Sequence, residues 1–401
     1  MSISQFQHQL PECNLFFGKN ILQKIGQESK RWGKRALLVT GRKSMQELGF
    51  LEEAIECLER ERLTSIHYNR VQPNPTVQIV DEGARMAQEK NCDVIVALGG
   101  GSAIDTGKAI AVRAAHFSNS DSTIWDYISV GEQKACRITS RTLPLVVATS
   151  TSGSGSHVTP YAVITNSRTQ QKVGFYSKYI FPKASIVDVR LPSKMSPDLT
   201  ASTGFDVLAH ATESFTGRGD HPIADIYSLK AMELVKNNLS EVYRNGENVK
   251  ARSCMALADT LAGLAITIAG TTMGHALVHP LGARYNLPHG LALALVSSAI
   301  WRFTIENGDK RTVERYTRIA QKLGEKITPP PTREKAMRAV KALNKLLETI
   351  GLNKSLSDFG VTEEDIGALA EDAMAYMRVD LGRHPTQISR KNLVSVLEES
   401  F

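Results

Sequence analysis

Asp93-Val94-Ile95-Val96-Ala97-Leu98-Gly99-Gly100-Gly101-Ser102-Ala103-Ile104-Asp105-Thr106-Gly107-Lys108 reads as a buried strand that stops at three glycines and restarts as a helix. The apolar run of Val94 to Leu98 has the length of a strand covered on both faces. Three glycines let the backbone come close to a pyrophosphate, and the helix that follows offers unpaired N–H groups and a positive dipole end. By mechanism this is a dinucleotide site built on Gly100, Gly101 and Ser102. It is not a Gly-x-Gly-x-x-Gly fingerprint, and Lys108 stands too far from the turn for a Walker loop. A strand-to-helix turn without a ligand would read the same way.

The same alternation continues on both sides. Arg35-Ala-Leu-Leu-Val-Thr40 is a strand ending at Gly41, with a helical pattern over 51–60; 103–114 is helical; Leu145-Val-Val-Ala148 and Ala184-Ser-Ile-Val-Asp188 are further strands. Strands separated by helices predict βαβ units and a parallel sheet. Past Pro192 the pattern becomes helical: 202–216, 223–238, 248–269, 291–303, 312–323, 332–350, 363–377 and 390–399 carry apolar residues at helical spacing. Thr328-Pro-Pro-Pro-Thr332 breaks two of them apart. We expect an α/β nucleotide-binding domain over 1–191 and an all-α domain over 192–401.

Composition narrows the function. The 401 residues, 42% hydrophobic and 22% charged, describe a soluble globular protein with room for two cores. The +7 net charge comes from 48 basic and 41 acidic residues that are interspersed, so nucleic-acid binding is not expected. Five scattered cysteines, an N-terminus without a basic and apolar leader pattern, and the lack of a long uncharged apolar run point to a reduced, cytoplasmic protein without a membrane segment.

The chemistry gathers in the second half, where Asp206 and His210 stand four apart in Gly204-Phe205-Asp206-Val207-Leu208-Ala209-His210. On a helix that spacing puts both side chains on one face, one turn apart. His275 and His279 repeat it, and His289 follows Pro288 in what reads as a loop. A lone histidine on an apolar helix is usually a hydrogen-bonded core residue, and Asp206 alone would suit a helix N-terminus. Together they offer five groups to a metal site that usually takes four.

A second loop, Ser150-Thr151-Ser152-Gly153-Ser154-Gly155-Ser156, follows another strand. Ligands of open α/β sheets bind at the carboxyl ends of strands, so both loops are expected to face one crevice. The end of the first strand reads Thr40-Gly41-Arg42-Lys43, without the acidic residue that would hold a ribose 2′-hydroxyl. Gly41 leaves room for a 2′-phosphate and Arg42 or Lys43 can neutralise it, which favours NADP(H) over NAD(H). A basic surface turn is the other reading.

In these segments together, the chain resembles the iron-containing (group III) alcohol dehydrogenases of the dehydroquinate synthase-like fold. The carriers are Gly99-Gly-Gly-Ser102, Gly-Phe-Asp-x-x-x-His-Ala at 204–211 and His-x-x-x-His-Pro-Leu-Gly-x-x-Tyr-Asn-x-Pro-His-Gly at 275–290. The resemblance spans Phe16-Phe17-Gly18 to about Leu323 and thins beyond. It implies an active site in a cleft between the two domains, Asp206, His210, His275 and His289 as ligands of Fe(II) or, as the alternative, Zn(II), and His279 as the non-ligand that assists proton transfer. For the cofactor it implies Asn74, Gly101, Ser102, Asp105, Ser150, Thr151, Thr159, Tyr161 and Lys172.

Two segments depart from the family pattern. His157 stands where an acidic residue usually closes the second loop, and Arg383-His384-Pro385-Thr386 replaces an Asn-Pro-Arg-like turn. Arg378 and Arg383 could receive an anionic aldehyde or be plain helix-end charges. The implied activity is hydride transfer between NADP(H) and a small alcohol or aldehyde, in a homodimer or larger homo-oligomer. A metal-dependent cyclase or lyase that recycles a bound nicotinamide is the second reading, and a metal or redox sensor the third.

Overall fold

The computed structural model describes residues 13–116, 122–131 and 133–401; the N-terminal stretch read for a leader lies outside them. The described chain forms two compact units that part between Met195 and Ser196.

The first unit holds β1 (Asn14–Gly18), α1 (Lys24–Ser29), β2 (Arg35–Gly41), α2 (Ser44–Glu47), α3 (Phe50–Arg60), β3 (Thr64–Val71), α4 (Val77–Glu89), β4 (Val94–Gly99), α5 (Gly101–Ala115), β5 (Leu145–Thr149), β6 (Tyr161–Asn166), β7 (Gln171–Tyr176) and β8 (Ala184–Asp188). Six strands form one sheet in the order β1-β8-β5-β4-β2-β3, and every neighbouring pair is parallel. Residues 36–39 and 94–98 have no exposed surface, because helices cover both faces, as a parallel sheet requires. Leu38, Val96, Ala148 and Ile186 pack with Leu22 just before α1, Ile25 of α1, and Ala54 and Leu58 of α3. Strand alternation turns Ile95 and Ala97 the other way, against α5 at Gly107.

Chain order makes a ligand crevice. From β2 the chain steps to β3 on one side and returns to β4 on the other, so the direction of winding reverses between β2 and β4. Ligands of doubly wound sheets bind outside the carboxyl ends of the strands at such a point. Gly41 and Gly99, the last residues of β2 and β4, stand there. The hairpin β6–β7 forms a separate antiparallel ribbon. It is tied to the segment before α4 by the Thr165 amide, which donates to the Pro75 carbonyl at 2.8 Å.

The second unit is helical: α6 (Pro197–Thr216), α7 (Pro222–Arg244), α8 (Val249–Ala269), α9 (Met273–Tyr285), α10 (His289–Asn307), α11 (Lys310–Lys322), α12 (Arg333–Thr349), α13 (Glu363–Tyr376), α14 (Arg378–Arg383) and α15 (Arg390–Glu399). Helix α6 starts at a Ser196 cap, whose hydroxyl accepts from the Leu199 amide, with Pro197 at its first position. Its residues 204–216 are all buried, as in a central helix packed from several sides. Helix α8 is long and apolar enough to cross a bilayer, but it packs against α6 and α7 and buries Arg252 and Asp259.

Candidate functional site

Asp206 and His210 lie one turn apart on α6, as their spacing predicts, and both are buried. His275 and His279 lie one turn apart on α9. His289 departs from its reading: it is the first residue of α10, with Pro288 in the capping position, and does not lie in a loop. Proline suits the start of a helix because no intrahelical acceptor awaits its missing N–H. The start of α10 presses on α6, since a Cβ on Gly290 would stand 1.9 Å from the Ser202 carbonyl oxygen. Only glycine permits that approach, one turn of α6 before Asp206.

Three imidazoles converge on one carboxylate oxygen. Asp206 Oδ1 lies 3.7 Å from His210 Nδ1, 3.8 Å from His275 Nε2 and 4.0 Å from His289 Nε2. Two donors on one tetrahedral ion with bonds of ~2.1 Å would be roughly 3.4 Å apart, so the spacing suits a shared ion. Donor atoms of Asp206, His210 and His275 fall within 4.8 Å of one another. His289 joins from the more exposed side, edge-on to His275 at 5.2 Å between ring centres.

The decisive atom is His275 Nε2, which is buried and has no hydrogen-bond partner among the described residues. Its other nitrogen, Nδ1, donates to Glu213 Oε1 at 2.9 Å. That bond puts the ring proton on Nδ1 and turns the Nε2 lone pair toward Asp206, the arrangement of a metal-ligating imidazole. Glu213 Oε2 accepts from the Thr272 amide and, at 3.0 Å, from the Thr272 hydroxyl. Burial alone would raise the Glu213 pKa; His275 and these bonds outweigh it and hold the carboxyl below its ordinary value. A set of three imidazoles and one carboxylate with an orphaned buried nitrogen fits a divalent ion.

Glu213 was missed in the sequence. It follows Asp206 and His210 at i+7 and i+3, so all three lie on one stripe of α6. A carboxylate on the stripe of two candidate ligands was the available signal. His279, one turn beyond His275, is 5% exposed, and its ring centre lies 5.8 Å from that of His289.

In the first unit the two loops leave adjacent strands and touch. The Ser150 amide donates to the Gly99 carbonyl at 3.0 Å. A Cβ on Gly101 would fall 2.6 Å from Ser154 Oγ, and one on Gly100 would fall 2.9 Å from Thr151 Cγ2. Glycine is therefore needed on the first loop for the second to lie against it. Helix α5 begins at Gly101 with Gly100 as its cap, and its N-terminus opens at this edge of the sheet. Arg42, next to Gly41, is exposed and donates to Gln72 Oε1 at 3.2 Å.

The remaining expected cofactor residues divide. Asn74 sits in a left-handed turn (φ 54°) after β3. Its side-chain oxygen accepts from Lys172 Nζ of β7 at 2.8 Å. Thr159 and Tyr161 stand at the entry to β6, and the Tyr161 ring lies 5.4 Å from that of Tyr176. Asp105, also expected at the cofactor, lies on α5 one turn past the glycines. Its carboxylate is engaged within the domain, accepting from Ser156 Oγ at 2.5 Å and from the Val163 amide at 2.9 Å. Lys108, set aside as no Walker lysine, is fully buried beside it. Burial pulls the Lys108 ammonium down to about 8 and raises Asp105.

Both departures from the family pattern fall inside the protein. His157 is buried, and desolvation, reinforced by Lys108, lowers its pKa to about 3, so a neutral imidazole stands where a carboxylate was expected. His384 is 2% exposed, 3.3 Å from Thr304 Oγ1, and lowered to about 3 by burial. Of the two C-terminal arginines, Arg378 is exposed, whereas Arg383 is partly buried and its carbonyl accepts from the Arg218 amide at 2.8 Å.

Comparison with known proteins meets this geometry from the other side. Residues 12–189 match the family model of iron-containing alcohol dehydrogenases, and residues 200–401 match its C-terminal counterpart. The second match runs far beyond Leu323, where the resemblance had been expected to thin. An archaeal halo-thermophilic alcohol dehydrogenase from a Red Sea brine pool superposes with a TM-score of 0.97 at 46% identity, over 100% of both chains. The 1,3-propanediol dehydrogenase of Citrobacter freundii is 31% identical over 100% of both chains. The NAD-dependent methanol dehydrogenase of Bacillus methanolicus is 33% identical over 89% of this chain and 90% of its own. These relatives are dehydrogenases, which sets aside a synthase that recycles its nicotinamide. The parallel sheet, the helical unit and the histidine cluster thus belong together, and the chain is a member of the iron-containing alcohol dehydrogenase family, an alcohol oxidoreductase.

Proposed function

We propose that the enzyme reduces a small aldehyde to its alcohol with NADPH, the NADP pool of cells being kept largely reduced. We assign the ion, Fe(II) before Zn(II), to Asp206, His210, His275 and His289. The observation that carries this reading is the convergence of three imidazoles on Asp206 Oδ1, with the buried Nε2 of His275 left for a ligand. When bound, the ion supplies a Lewis acid that polarises the substrate oxygen. The chain's own contribution is orientation: Glu213 fixes the tautomer of His275, and α6, α9 and α10 carry the donors.

We assign proton transfer at the substrate oxygen to His279, because imidazole titrates near neutrality and this one stands one turn from a ligand. His279→Ala is expected to lower kcat by about 100-fold, the usual size of a general acid–base contribution. Bound metal per chain should stay at the wild-type level. Metal loss in that variant, or wild-type turnover, would remove the assignment.

NADP(H) preference rests on Thr40-Gly41-Arg42-Lys43 at the carboxyl end of β2, where no carboxylate opposes a 2′-phosphate. Gly100, Gly101, Ser102, Ser150 and Thr151 would line the diphosphate. In an anaerobic screen of aldehydes on metal-stripped enzyme reloaded with Fe(II) or Zn(II), NADPH should outperform NADH. Arg42→Ala should raise the KM for NADPH by about tenfold, one charge-assisted contact, and leave that for NADH nearly unchanged. Equal losses with both nucleotides would count against a 2′-phosphate contact. We further place the protein in the cytoplasm, in keeping with five free cysteines, and infer a homodimer or larger assembly.

A further inference from the structure

We propose that Asp105 and Lys108 are a positioning pair that fixes the second cofactor loop against α5 and thereby sets the enzyme's affinity for its nicotinamide nucleotide. This rests on the cofactor site assigned above and gives the pair a part in it without direct contact.

The two residues stand at i and i+3 on α5, directly behind the glycine turn. Lys108 Nζ reaches the Ser156 carbonyl at 2.7 Å, the Ser156 hydroxyl at 2.8 Å, the Thr159 hydroxyl at 3.3 Å and the Tyr161 carbonyl at 2.6 Å. An ammonium has three protons, so four acceptors share them and every proton is used. Asp105 closes the ring from the other side, taking the Ser156 hydroxyl proton at 2.5 Å and the Val163 amide at 2.9 Å. Ser156 Oγ therefore accepts from Lys108 and donates to Asp105, and the hydroxyl is locked in direction.

The consequence runs forward along the loop. Its first end is held where the Ser150 amide donates to Gly99, and its last end is held at Ser156. Between them, the Ser156 amide donates to Ser154 Oγ at 3.2 Å, and that oxygen is the atom a Cβ on Gly101 would strike. A shift of Ser156 thus moves Ser154 across Gly101, the first residue of α5, where the diphosphate is expected. The adjoining His157 brings no competing charge, because its imidazole is neutral. Apolar side chains of similar volume would serve stability as well as or better than two buried charges. They would not aim hydrogen bonds at Ser156, Thr159, Tyr161 and Val163, and that aim is what the pair adds.

The test uses full-length, metal-loaded enzyme carrying Lys108→Met, Asp105→Asn, both together, or the milder Ser156→Ala. NADPH binding is measured by quenching of protein fluorescence, beside KM, kcat, bound metal and thermal midpoint. Lys108→Met and Asp105→Asn should each raise the NADPH Kd about tenfold or more, and Ser156→Ala by about fivefold, as expected for losing charge-assisted bonds that order a binding loop. The nucleotide KM should rise in parallel, while kcat at saturating nucleotide and bound metal stay near wild type. The double variant should bind no better than the worse single one, since a neutral pair removes both buried charges but does not restore the aim of the lost hydrogen bonds. Folded Ser156→Ala and double variants with wild-type Kd would overturn the proposal, and Ser156→Ala decides it even if the single charge variants fail to fold. Wild-type enzyme that binds neither NADPH nor NADH would instead refute the cofactor reading, and the proposal with it.

Discussion

Asp206→Ala is expected to lose its divalent ion and, with it, nearly all turnover. Oδ1 of Asp206 is the point to which His210, His275 and His289 are all referred, at 3.7, 3.8 and 4.0 Å. Without it, three neutral imidazoles remain with no negative charge among the assigned ligands. Loss of a partner outside the ligand set typically weakens metal binding by about 10–100-fold, so loss of the one anionic ligand should exceed about 100-fold. The measurement is metal per chain after chelation and anaerobic reloading with Fe(II) or Zn(II), read beside aldehyde turnover. Wild-type metal content would sink the assignment. The metal-free variant should melt close to metal-free wild type, because removing a buried carboxylate also removes its desolvation cost. A collapse of the fold would show that Asp206 is needed for packing as well. His275→Ala should behave alike in metal content, whereas His279→Ala should not, and that contrast separates the four assigned ligands from the fifth candidate.

The sequence revealed the parts of the protein whose environment is uniform. Strands β2, β4, β5 and β8 are largely buried, so they appear as short, mainly apolar runs, and their boundaries fall within a residue or two of expectation. Strand β3 was not legible: it lies at the sheet edge, alternates irregularly between exposed and buried, and carries Thr64, Ser65, His67, Asn69 and Arg70. The hairpin β6–β7 escaped for a related reason, since its pairing partners Thr165 and Lys172 are polar. Proline misled at His289, where it was taken for a loop and caps a helix. Asp105 was expected at the cofactor and Lys108 was read only as no Walker lysine; that both turn toward the second loop and are buried there was not legible. Burial of a polar side chain is decided by tertiary contacts, and no local pattern announces it.

Glu213→Gln is expected to weaken metal binding, because both carboxylate oxygens of Glu213 act as acceptors. Oε1 takes the His275 Nδ1 proton at 2.9 Å, while Oε2 takes the Thr272 amide and the Thr272 hydroxyl. Both oxygens must accept, and a glutamine has one oxygen. If Glu213→Gln turns its oxygen to Thr272, its NH2 faces His275 Nδ1. The ring must then carry its proton on Nε2, the atom aimed at Asp206, and that proton has to leave before an ion can bind. If it turns its oxygen to His275, the NH2 meets the Thr272 amide, and the start of α9 must shift with His275 on it. Either outcome should cost about 10–100-fold in metal affinity. A Co(II) titration followed by visible absorption reads this without turnover, and the ligand-field bands should also shift if α9 moves. A variant that titrates with Co(II) at wild-type affinity would show that the tautomer of His275 is fixed by something other than Glu213. The opposite result would make Glu213 as much a part of the metal centre as the residues that touch the ion, because a histidine ligand is defined by where its proton is held.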